Sequence, residues 1–445
     1  MPAYDYDAVI IGGGPAGSAT GAYLARAGLR TLIVEKERFP RFHIGESVMP
    51  VSNAILRDLG VWDKVDQAGF VPKYGAEFHV ANKSVLPKHV EFSKGLVPGL
   101  DYTYQVERSK FDHILLDHAA ELGSTVRQET RVTAVQPTGR DGYEVTLQPD
   151  GDAPTKTVRC AYLVDASGRD ALFAKPIKTA PANPDLAKRV AIYAHFANVP
   201  RPPGKAGGNI LIVRNADGWV WFIPLSGDRV SVGVVVTTAA LRASRLKPEA
   251  LFWKTIGESP KLSQALASAE IASPFRVTAD YNYRARKFAD PRLLLVGDAA
   301  CFLDPMFSTG VFLALLSSQF AAREIVAAHR RGNAPLGWLA RQRYSRRLRS
   351  NIGTLERLVL AFYDNASFSV FMERNAPLRM APAINALVAG HSDPPWAVRW
   401  RYWLFLLVCR LQRWRPVVPN VDLAVRAKAK EKTQAWVEPS PSVLS

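Results

Sequence analysis

The stretch at residues 8–17, AVIIGGGPAG, constrains the fold of this chain more than any other. Four apolar residues predict a buried parallel strand, and the glycines that follow turn the chain directly into a helix. Gly12 permits the tight turn, Gly14 lets a pyrophosphate approach the backbone, and Gly17 lets the helix pack on the strand. The helix start, which includes Ala16, offers unpaired N–H groups to a phosphate, so the stretch predicts a dinucleotide site.

An acidic residue follows at about the spacing expected for contact with a ribose. A second apolar strand, residues 31–34, ends in Glu35, whose carboxylate would accept a hydrogen bond from the 2′-hydroxyl. A carboxylate at that point disfavours a 2′-phosphate, so the pattern indicates the ADP moiety of FAD or NAD and not NADP. Because strand, helix, second strand and acid are all in place, we favour this interpretation over a glycine-rich turn without a nucleotide.

The composition limits the classes of protein to which this chain can belong. The 445 residues are 48% hydrophobic, which is enough for a large core and two or three domains, and alternating helical and strand patterns predict an α/β fold. The three cysteines, Cys160, Cys301 and Cys409, lack ligand-like spacing, so we expect neither a disulfide framework nor a metal site. The N-terminus runs straight into the nucleotide strand and no apolar run reaches about twenty residues, so we expect a cytoplasmic protein without a transmembrane helix.

The charge balance indicates acidic partners. The net charge is +17, much of it in basic stretches late in the chain. No nucleic-acid motif accompanies it, so nucleic acid ranks below anionic lipid and an acidic carrier protein. From charge alone we favour the interpretation that these basic residues form a solvent-exposed helix face without a partner. Residues 396–414 interleave tryptophan and leucine with arginine; a core helix is favoured there, and an interfacial helix or a lid over an apolar substrate stays open.

The order of patterns predicts how the domains are organised. Three nucleotide-fold segments, at residues 8–35, 162–169 and 292–310, are separated by a lobe in which strand patterns dominate. We expect a Rossmann-like domain in three parts (1–78, 101–185 and 276–330), substrate-lobe strands at 79–100, an antiparallel sheet lobe at 186–275, a helical region at 331–432 and a disordered tail at 433–445.

A resemblance to a known family adds to these patterns. With the glycine turn, Glu35, the turn at 165–168 and the pair Gly297-Asp298, the chain resembles FAD-dependent monooxygenases of the glutathione-reductase-type fold. The resemblance implies that FAD is the cofactor, that Asp298 holds its ribityl chain, and that Arg108, which opens a helix, contacts it. An acid at a strand's C-terminal edge can accept hydrogen bonds from polyol hydroxyls, which agrees with this role.

Two further motifs narrow the resemblance to the flavin-dependent halogenases. They are WxWxIP, formed by Trp219, Trp221, Ile223 and Pro224, and FxxPxxSxG, formed by Phe302, Pro305, Ser308 and Gly310. The resemblance covers most of residues 5–330. The alternative explanation of the first motif is a pair of core tryptophans on one sheet face, which we disfavour because the second motif is also present.

The family implies a reaction at two sites. Reduced FAD, O2 and chloride or bromide give hypohalous acid, which passes along a tunnel walled by the tryptophans to a lysine and then halogenates an electron-rich ring. The lysine corresponds to Lys73, and the halide would lie at the backbone N–H groups of Thr309 and Gly310. Ser47 and Pro305 are assigned to the cofactor site. Burial can lower a lysine pKa, so Lys73 could polarise or carry the halogen.

Two departures from related patterns refine the expectation. Tryptophan halogenases carry glutamate where this chain has Phe307, so the chain resembles the phenol and pyrrole group, some of whose substrates are tethered to acidic carrier proteins. No second dinucleotide fingerprint is present, which implies that a separate flavin reductase delivers FADH2 in a transient encounter. We expect a role in secondary metabolism such as antibiotic biosynthesis. The alternatives are an aromatic hydroxylase and a prenyl reductase at a membrane surface; peripheral membrane contact is not favoured.

Overall fold

The computed structural model describes residues 4–81, 85–139, 141–173, 188–279 and 283–423. Its described strands are β1 (Tyr6–Ile11), β2 (Thr31–Val34), β3 (Val71–Lys73), β4 (Gly75–Val80), β5 (Lys88–Glu91), β6 (Thr103–Gln105), β7 (Thr125–Arg127), β8 (Thr130–Pro137), β9 (Tyr143–Pro149), β10 (Lys156–Asp165), β11 (Arg189–Ala197), β12 (Ile210–Arg214), β13 (Gly218–Pro224), β14 (Val230–Thr237), β15 (Glu270–Ile271), β16 (Arg276–Ala279), β17 (Tyr283–Arg284), β18 (Leu293–Leu295) and β19 (Cys301–Phe302). Its described helices are α1 (Pro15–Arg26), α2 (Ser52–Leu59), α3 (Trp62–Asp66), α4 (Arg108–Glu121), α5 (Thr238–Ser244), α6 (Pro248–Gly257), α7 (Pro260–Ala265), α8 (Thr309–His329), α9 (Trp338–Tyr363), α10 (Asn365–Met372), α11 (Met380–Val388) and α12 (Trp396–Gln412).

The first sheet is built on parallel strands in the order β7-β2-β1-β10-β18, and β9 and β8 extend it antiparallel from β10. Its central strands are continuous apolar runs because helices cover the sheet, which is the pattern of buried parallel strands. Ile11 lies opposite Asp165, and Asp165 lies opposite Leu295. The carboxyl ends of β1, β10 and β18 therefore share one edge, where the segments that follow them meet.

The second sheet has the order β15-β11-β14-β13-β12-β4-β5, with β16 also paired to β11. Its pairs are antiparallel except β4 with β12, which is parallel, so the sheet lobe is mixed where the sequence predicted an antiparallel one. Two strands cross predicted boundaries. β4 begins before residue 79 because its register with β12 starts at Ala76, and β16 pairs with β11 beyond residue 276.

Helices follow the two sheets, in agreement with the predicted helical region, of which residues 424–432 lie outside the described part of the chain. The expected tail at 433–445 lies outside it as well. Among the described helices, α8 is long and apolar enough to cross a membrane, and 67% of its most apolar window is buried inside the protein. We therefore interpret α8 as a core helix. The α/β class with a sheet lobe and a helical C-terminal region is confirmed.

Candidate functional site

A cavity of about 540 Å³ lies where the carboxyl edge of the first sheet faces the second sheet. All the site residues that the sequence predicts line this cavity, except Gly17, Lys73 and Pro224. The predicted residues that line it are Gly12, Gly14, Ala16, Glu35, Ser47, Arg108, Trp219, Trp221, Ile223, Asp298, Phe302, Pro305, Ser308, Thr309 and Gly310. Segments that are far apart in sequence thus converge on one enclosed space.

The glycine turn between β1 and α1 forms one end of the cavity. Gly12 has a φ of +106°, and a Cβ there would lie 2.3 Å from the carbonyl oxygen of Ala166. A Cβ at Gly17 would lie 1.8 Å from the oxygen of Gly12, so that glycine is needed for the helix to start against the strand. At Gly14 the nearest atom to such a Cβ is Nη2 of Arg41, at 3.3 Å. Gly14 and Arg41 both line the cavity, so a guanidinium lies beside the backbone at the point where a phosphate would approach it.

The Glu35 carboxylate is held in place at the end of β2. Oε2 accepts from the N–H of Gly13 at 2.6 Å and Oε1 accepts from the N–H of Glu37 at 2.9 Å. Close by, Lys36 Nζ lies 2.5 Å from a carboxylate oxygen of Asp170, which follows β10, and both residues line the cavity. This ion pair therefore links the segment after β2 to the segment after β10 at the rim of the cavity.

Arg108 is buried at the first position of α4, and its donors are largely used within the protein. The guanidinium bonds the Asp112 carboxylate through Nε at 2.7 Å and Nη2 at 2.8 Å, and Nη1 donates to the carbonyl of Ile44 at 2.9 Å. A bidentate pair of this kind fixes the plane of the guanidinium. Arg108 therefore holds the loop around Ile44 against the cavity while lining the wall itself.

Asp298, directly after β18, presents a carboxylate to the cavity. Burial raises its pKa to about 6, against the opposing effect of the nearby Arg108 and Arg169 charges. Within the described ranges, no residue donates a hydrogen bond to this carboxylate. Its oxygens can therefore accept from the hydroxyls of a bound polyol.

The FxxPxxSxG loop leads into α8 beside the cavity. Ser308 has a φ of +60° and a ψ of 33°, a left-handed conformation that is uncommon for a residue other than glycine. This backbone turn brings the start of α8, Thr309 and Gly310, to the cavity wall. The first N–H groups of a helix lack intrahelical acceptors and carry partial positive charge, so this wall favours an anion.

A hydrogen-bonded chain that sequence reasoning missed supports the same loop. Trp219 Nε1 donates to the Tyr363 hydroxyl at 2.8 Å, and that hydroxyl donates to the Asp304 carboxylate at 2.9 Å. Burial raises the pKa of Asp304 to about 6, while the Arg189 guanidinium, 3.5 Å from the centre of the Tyr363 ring, opposes the rise. Asp304 lies within the second motif, but Tyr363 ends α9 and no sequence signal marks it.

The tryptophans of WxWxIP are both buried and part of the cavity wall. Their ring centres are 5.8 Å apart, and Trp221 Nε1 donates to Ser231 Oγ at 3.2 Å. The Trp221 ring lies flat over Gly233, where a Cβ would be 2.1 Å from the ring. The motif therefore serves the core and the site together, and Pro224 ends its strand outside the wall.

Lys73 lies behind the cavity wall at the end of β3. Its ammonium donates to Ser47 Oγ at 2.8 Å and to the Val48 carbonyl at 3.0 Å, and it lies 5.4 Å from the Phe92 ring centre. Burial alone lowers the pKa of Lys73 to about 7. Ser47 does line the cavity, so it joins the lysine to that space.

Glu46 and Ser47 lie in the segment before α2, which begins at Ser52. Ser47 forms an isolated bridge with Gln105. Glu46 Oε1 lies 2.8 Å from Nε2 of His195 on β11. Pairing with two other segments therefore holds this loop extended, and a helix-capping pattern in sequence does not reveal such partners.

Three further cavity residues went unrecognised from sequence. They are Arg41, which pairs with Asp112 at 3.1 Å, His43, and Tyr193 on β11. Burial and the Arg108 charge lower the pKa of His43 to about 4, so its ring is neutral at physiological pH. Among the described residues, no group of three or more His, Cys, Asp or Glu side chains could hold a metal ion.

Comparisons with known proteins agree with this geometry. A family model for an FAD binding domain matches residues 5–351. The 1H-pyrrole-2-carbonyl-(peptidyl-carrier protein) chlorinase of Pseudomonas fluorescens is 32% identical in an alignment of 395 residues that covers 84% of this chain and 87% of that protein. The flavin-dependent halogenase ptaM of Pestalotiopsis fici is 33% identical over 346 residues, covering 72% of this chain and 63% of that relative.

A solved structure shares the architecture as well. The myxobacterial chondrochloren halogenase CndH, described as a variant of FAD-dependent halogenases, superposes with a TM-score of 0.75 at 30% sequence identity. The match covers 91% of this chain and 97% of that chain. The similarity therefore includes both sheets and much of the helical region.

Proposed function

Because this chain belongs to the flavin-dependent halogenases, we propose that it halogenates an electron-rich phenolic or pyrrolic ring through Lys73, using chloride or bromide. The observation that carries the proposal is the position of Lys73. Its ammonium is buried, its pKa is lowered to about 7, and it contacts Ser47 in the wall of the cavity. A lysine in that state can donate a proton or a hydrogen bond near neutral pH.

The residues of the cavity fit FAD. Gly12 and Gly14 line the cavity and would lie beside the pyrophosphate, Glu35 would accept from a ribose hydroxyl, and Asp298 would accept from the ribityl hydroxyls. Arg108 holds the adjoining loop in place. Bound as FADH2, the cofactor would supply two electrons to O2, so that one oxygen atom leaves as water and the other takes two electrons from the halide and ends in hypohalous acid.

The start of α8 would hold the halide. Thr309 and Gly310 line the cavity as the first residues of α8, and the N–H groups of a helix N-terminus stabilise an anion without any basic side chain. The left-handed Ser308 aims this helix start, and Asp304 caps the turn before it by accepting from the N–H of Met306 at 2.9 Å. Pro305 and Phe302 would close the same wall. We propose that Trp219, Trp221 and Ile223 keep an aromatic substrate away from this end of the cavity.

Lys73 would then act on the oxidised halogen. The acceptors Ser47 Oγ and Val48 O hold its nitrogen at a fixed point, so the remaining donor can polarise hypohalous acid towards the ring. The neutral amine, accessible near pH 7, could instead attack the halogen, forming a nitrogen–halogen bond while the halogen–oxygen bond breaks and water leaves with a proton of the amine. In either case the ring attacks the halogen, water or the amine of Lys73 leaves, and the ring afterwards loses a proton.

The surroundings favour a neutral ring as substrate. Phe307 is buried and packs against Phe78 and Phe362, with ring centres 6.2 and 5.9 Å away. No charged group stands at that position to recognise a substrate amine. The P. fluorescens relative acts on a pyrrole bound to a peptidyl-carrier protein, so we propose a carrier-tethered pyrrole as the first substrate to try and free phenols as the second.

The remaining parts of the proposal concern partners and setting. A separate flavin reductase would supply FADH2 by transient encounter, because no second dinucleotide fingerprint occurs in the sequence. We propose a cytoplasmic enzyme of secondary metabolism.

Mass spectrometry of the products tests the proposal. Purified protein receives FAD, NADH, a generic flavin reductase, O2 and either chloride or bromide, together with free and carrier-tethered pyrroles and phenols. The expected product carries the isotope pattern of the halide supplied and is absent when halide is left out. Oxygen insertion independent of halide would identify a hydroxylase, and NADH oxidation without the added reductase would also contradict the proposal.

A further inference from the structure

Helix α12 has two apolar faces, of which only one is covered. Its buried face, formed by Val398, Tyr402, Phe405 and Cys409, packs on α10 and α11. The opposite side carries Trp396, Trp403, Leu407 and Leu411, with Trp414 just beyond the helix end. We refer to these five exposed side chains as the outer face of α12.

The side chains of the outer face are large and apolar, yet they are largely exposed to solvent. Trp396 is 73% exposed, Trp403 55% and Trp414 87%, and Leu407 and Leu411 are about half exposed. Trp396, Trp403 and Leu407 recur at spacings that bring them to one side of a helix. A soluble surface rarely presents several large apolar side chains in one stripe, and such a stripe marks an interaction surface.

The charged residues within α12 are all basic, and two arginines of this region, Arg399 and Arg413, pair with Asp393 and Asp364. Between Asp393 and Asp422 the sequence contains no acidic residue and five arginines, Arg399, Arg401, Arg410, Arg413 and Arg415. Arg410 and Arg415 pair with no acidic residue in the described ranges. Arg357 on α9 lies 5.5 Å from the Trp403 ring centre and adds a further cation to the stripe. Tryptophan beside arginine is the composition of helices that lie in the interface of an anionic bilayer.

We propose that the outer face of α12 docks this protein on an anionic lipid surface. A second copy of the chain fits less well, because a two-fold contact would bring the same arginines together. A carrier protein delivering a ring must dock beside the cavity, and α10, α11 and α12 contribute no described residue to the cavity wall. The basic residues Arg426, Lys428 and Lys430 follow in the sequence and would add to the attraction.

Vesicle sedimentation with the full chain measures lipid binding directly and tests the proposal. The probes are vesicles of phosphatidylcholine and vesicles with equal parts of phosphatidylcholine and phosphatidylglycerol. The protein is expected to bind the anionic vesicles about tenfold more tightly or better, and to lose this preference when ionic strength rises from about 0.05 M to about 0.5 M.

Two sets of variants separate the apolar and the ionic contributions. Trp403→Ser/Leu407→Ser/Leu411→Ser should weaken binding about tenfold or more, because the apolar side chains no longer enter the interface. Arg410→Gln/Arg415→Gln should weaken binding to anionic vesicles about tenfold. The matched control is Trp338→Ser/Leu339→Ser, which removes two equally exposed apolar side chains at the start of α9 and should leave binding unchanged.

Three results would overturn the proposal. The first is equal sedimentation of the triple variant and the unaltered protein, with circular dichroism confirming that both are folded. The second is a dimer of the unaltered protein in analytical ultracentrifugation that the triple variant abolishes, which would make the outer face a contact between copies. The third is loss of halogenation of a carrier-tethered ring in the triple variant while vesicle binding persists, which would assign the face to the carrier.

Discussion

Two buried lysines of this protein look alike until their partners are compared. Lys73 is 4% exposed and Lys88 is 7% exposed, and burial lowers their pKa values to about 7 and about 8. Lys73 donates to Ser47 Oγ and to a neighbouring carbonyl in the loop that lines the cavity. Lys88 donates to the carbonyls of Phe371 and Glu373, the second at 3.0 Å, where α10 ends.

The difference shows that burial and a lowered pKa do not by themselves identify a reactive lysine. Lys88 meets the carbonyl end of a helix, which carries partial negative charge, and the Glu373 carboxylate attracts it as well. We therefore explain the burial of Lys88 by its contribution to the stability of α10. Lys73 has no such charge partner, and its acceptors hold the nitrogen next to the cavity. We therefore expect the two lysines to respond differently when each is replaced by methionine, which keeps a comparable apolar stem.

The largest expected effect is on the rate of halogenation. Lys73→Met should reduce turnover about a thousandfold, within the range contributed by a positioned proton donor, while FAD binding persists because the glycine turn is untouched. Lys88→Met should change the rate per folded molecule by less than about twofold. Product quantification by mass spectrometry measures the rate, and flavin absorbance measures the bound cofactor. Equal losses in both variants would contradict the distinction drawn between the lysines.

The pH dependence of stability should distinguish the lysines next. Below pH about 7, Lys73 is protonated in both the folded and the unfolded state, and the penalty of its burial is fully present. Between that pH and its ordinary pKa of 10.5, only the unfolded state keeps the proton, so the free energy of unfolding rises with pH. For Lys88 the rise begins near pH 8.

From pH 6 to pH 9 this stabilisation amounts to about 3 kcal/mol for Lys73 and about 1 kcal/mol for Lys88. Denaturant unfolding at both pH values gives the change in the free energy of unfolding between pH 6 and pH 9. The contribution of each lysine is the difference between that change in the unaltered protein and the same change in its methionine variant. The unaltered protein should gain stability with pH relative to Lys73→Met. A pH-independent difference would mean that Lys73 keeps its ordinary pKa in the folded protein.

The contrast also explains what the sequence could predict. The local geometry of Gly12, Gly17 and Glu35 could be predicted because it depends on neighbours within one strand-turn-helix unit, while their roles towards a cofactor stay predictions. Lys73 was selected through a family resemblance, since a lysine at a strand end is otherwise an ordinary exposed residue. Sequence periodicity could not show that it would be buried behind Ser47, because that burial depends on β3 pairing with β6.

Long-range partners were the part that sequence could not supply. The Tyr363 hydroxyl reaches Asp304 from a helix that starts well after the last motif, and the His195 ring reaches Glu46 from the other sheet. Ser47 shows the same limit: it has the chemistry of a helix cap, but its bridge to Gln105 keeps it extended, and α2 begins at Ser52. The parallel pairing of β4 with β12 likewise depends on tertiary structure, because a strand pattern in sequence does not say which strand it pairs with or in which direction.

A smaller effect should follow from Lys88 itself. Lys88→Met leaves the carbonyls at the end of α10 without a charged donor, which should lower the free energy of unfolding by about 2 kcal/mol at pH 7. The shift of the denaturation midpoint measures this loss. Replacing Lys94, an exposed lysine that pairs with Glu91, by methionine is the matched control and should cost less than about 1 kcal/mol. A loss as small as that of the control would mean that Lys88 does not support α10.

The smallest expected effect sharpens the assignment of Lys73. Ser47→Ala removes one of two acceptors of its ammonium, and because hydrogen bonds to the charged form favour that form, the pKa of Lys73 should fall further. The halogenation rate should drop about fivefold and its pH profile should move to lower pH by about one unit or less. Ser47→Thr keeps a hydroxyl and should restore the profile, with flavin absorbance confirming that the cofactor stays bound. An unmoved profile in Ser47→Ala would mean that another group sets the pH dependence, because among the described residues Lys73 is the one titratable group that hydrogen-bonds this hydroxyl, at 2.8 Å.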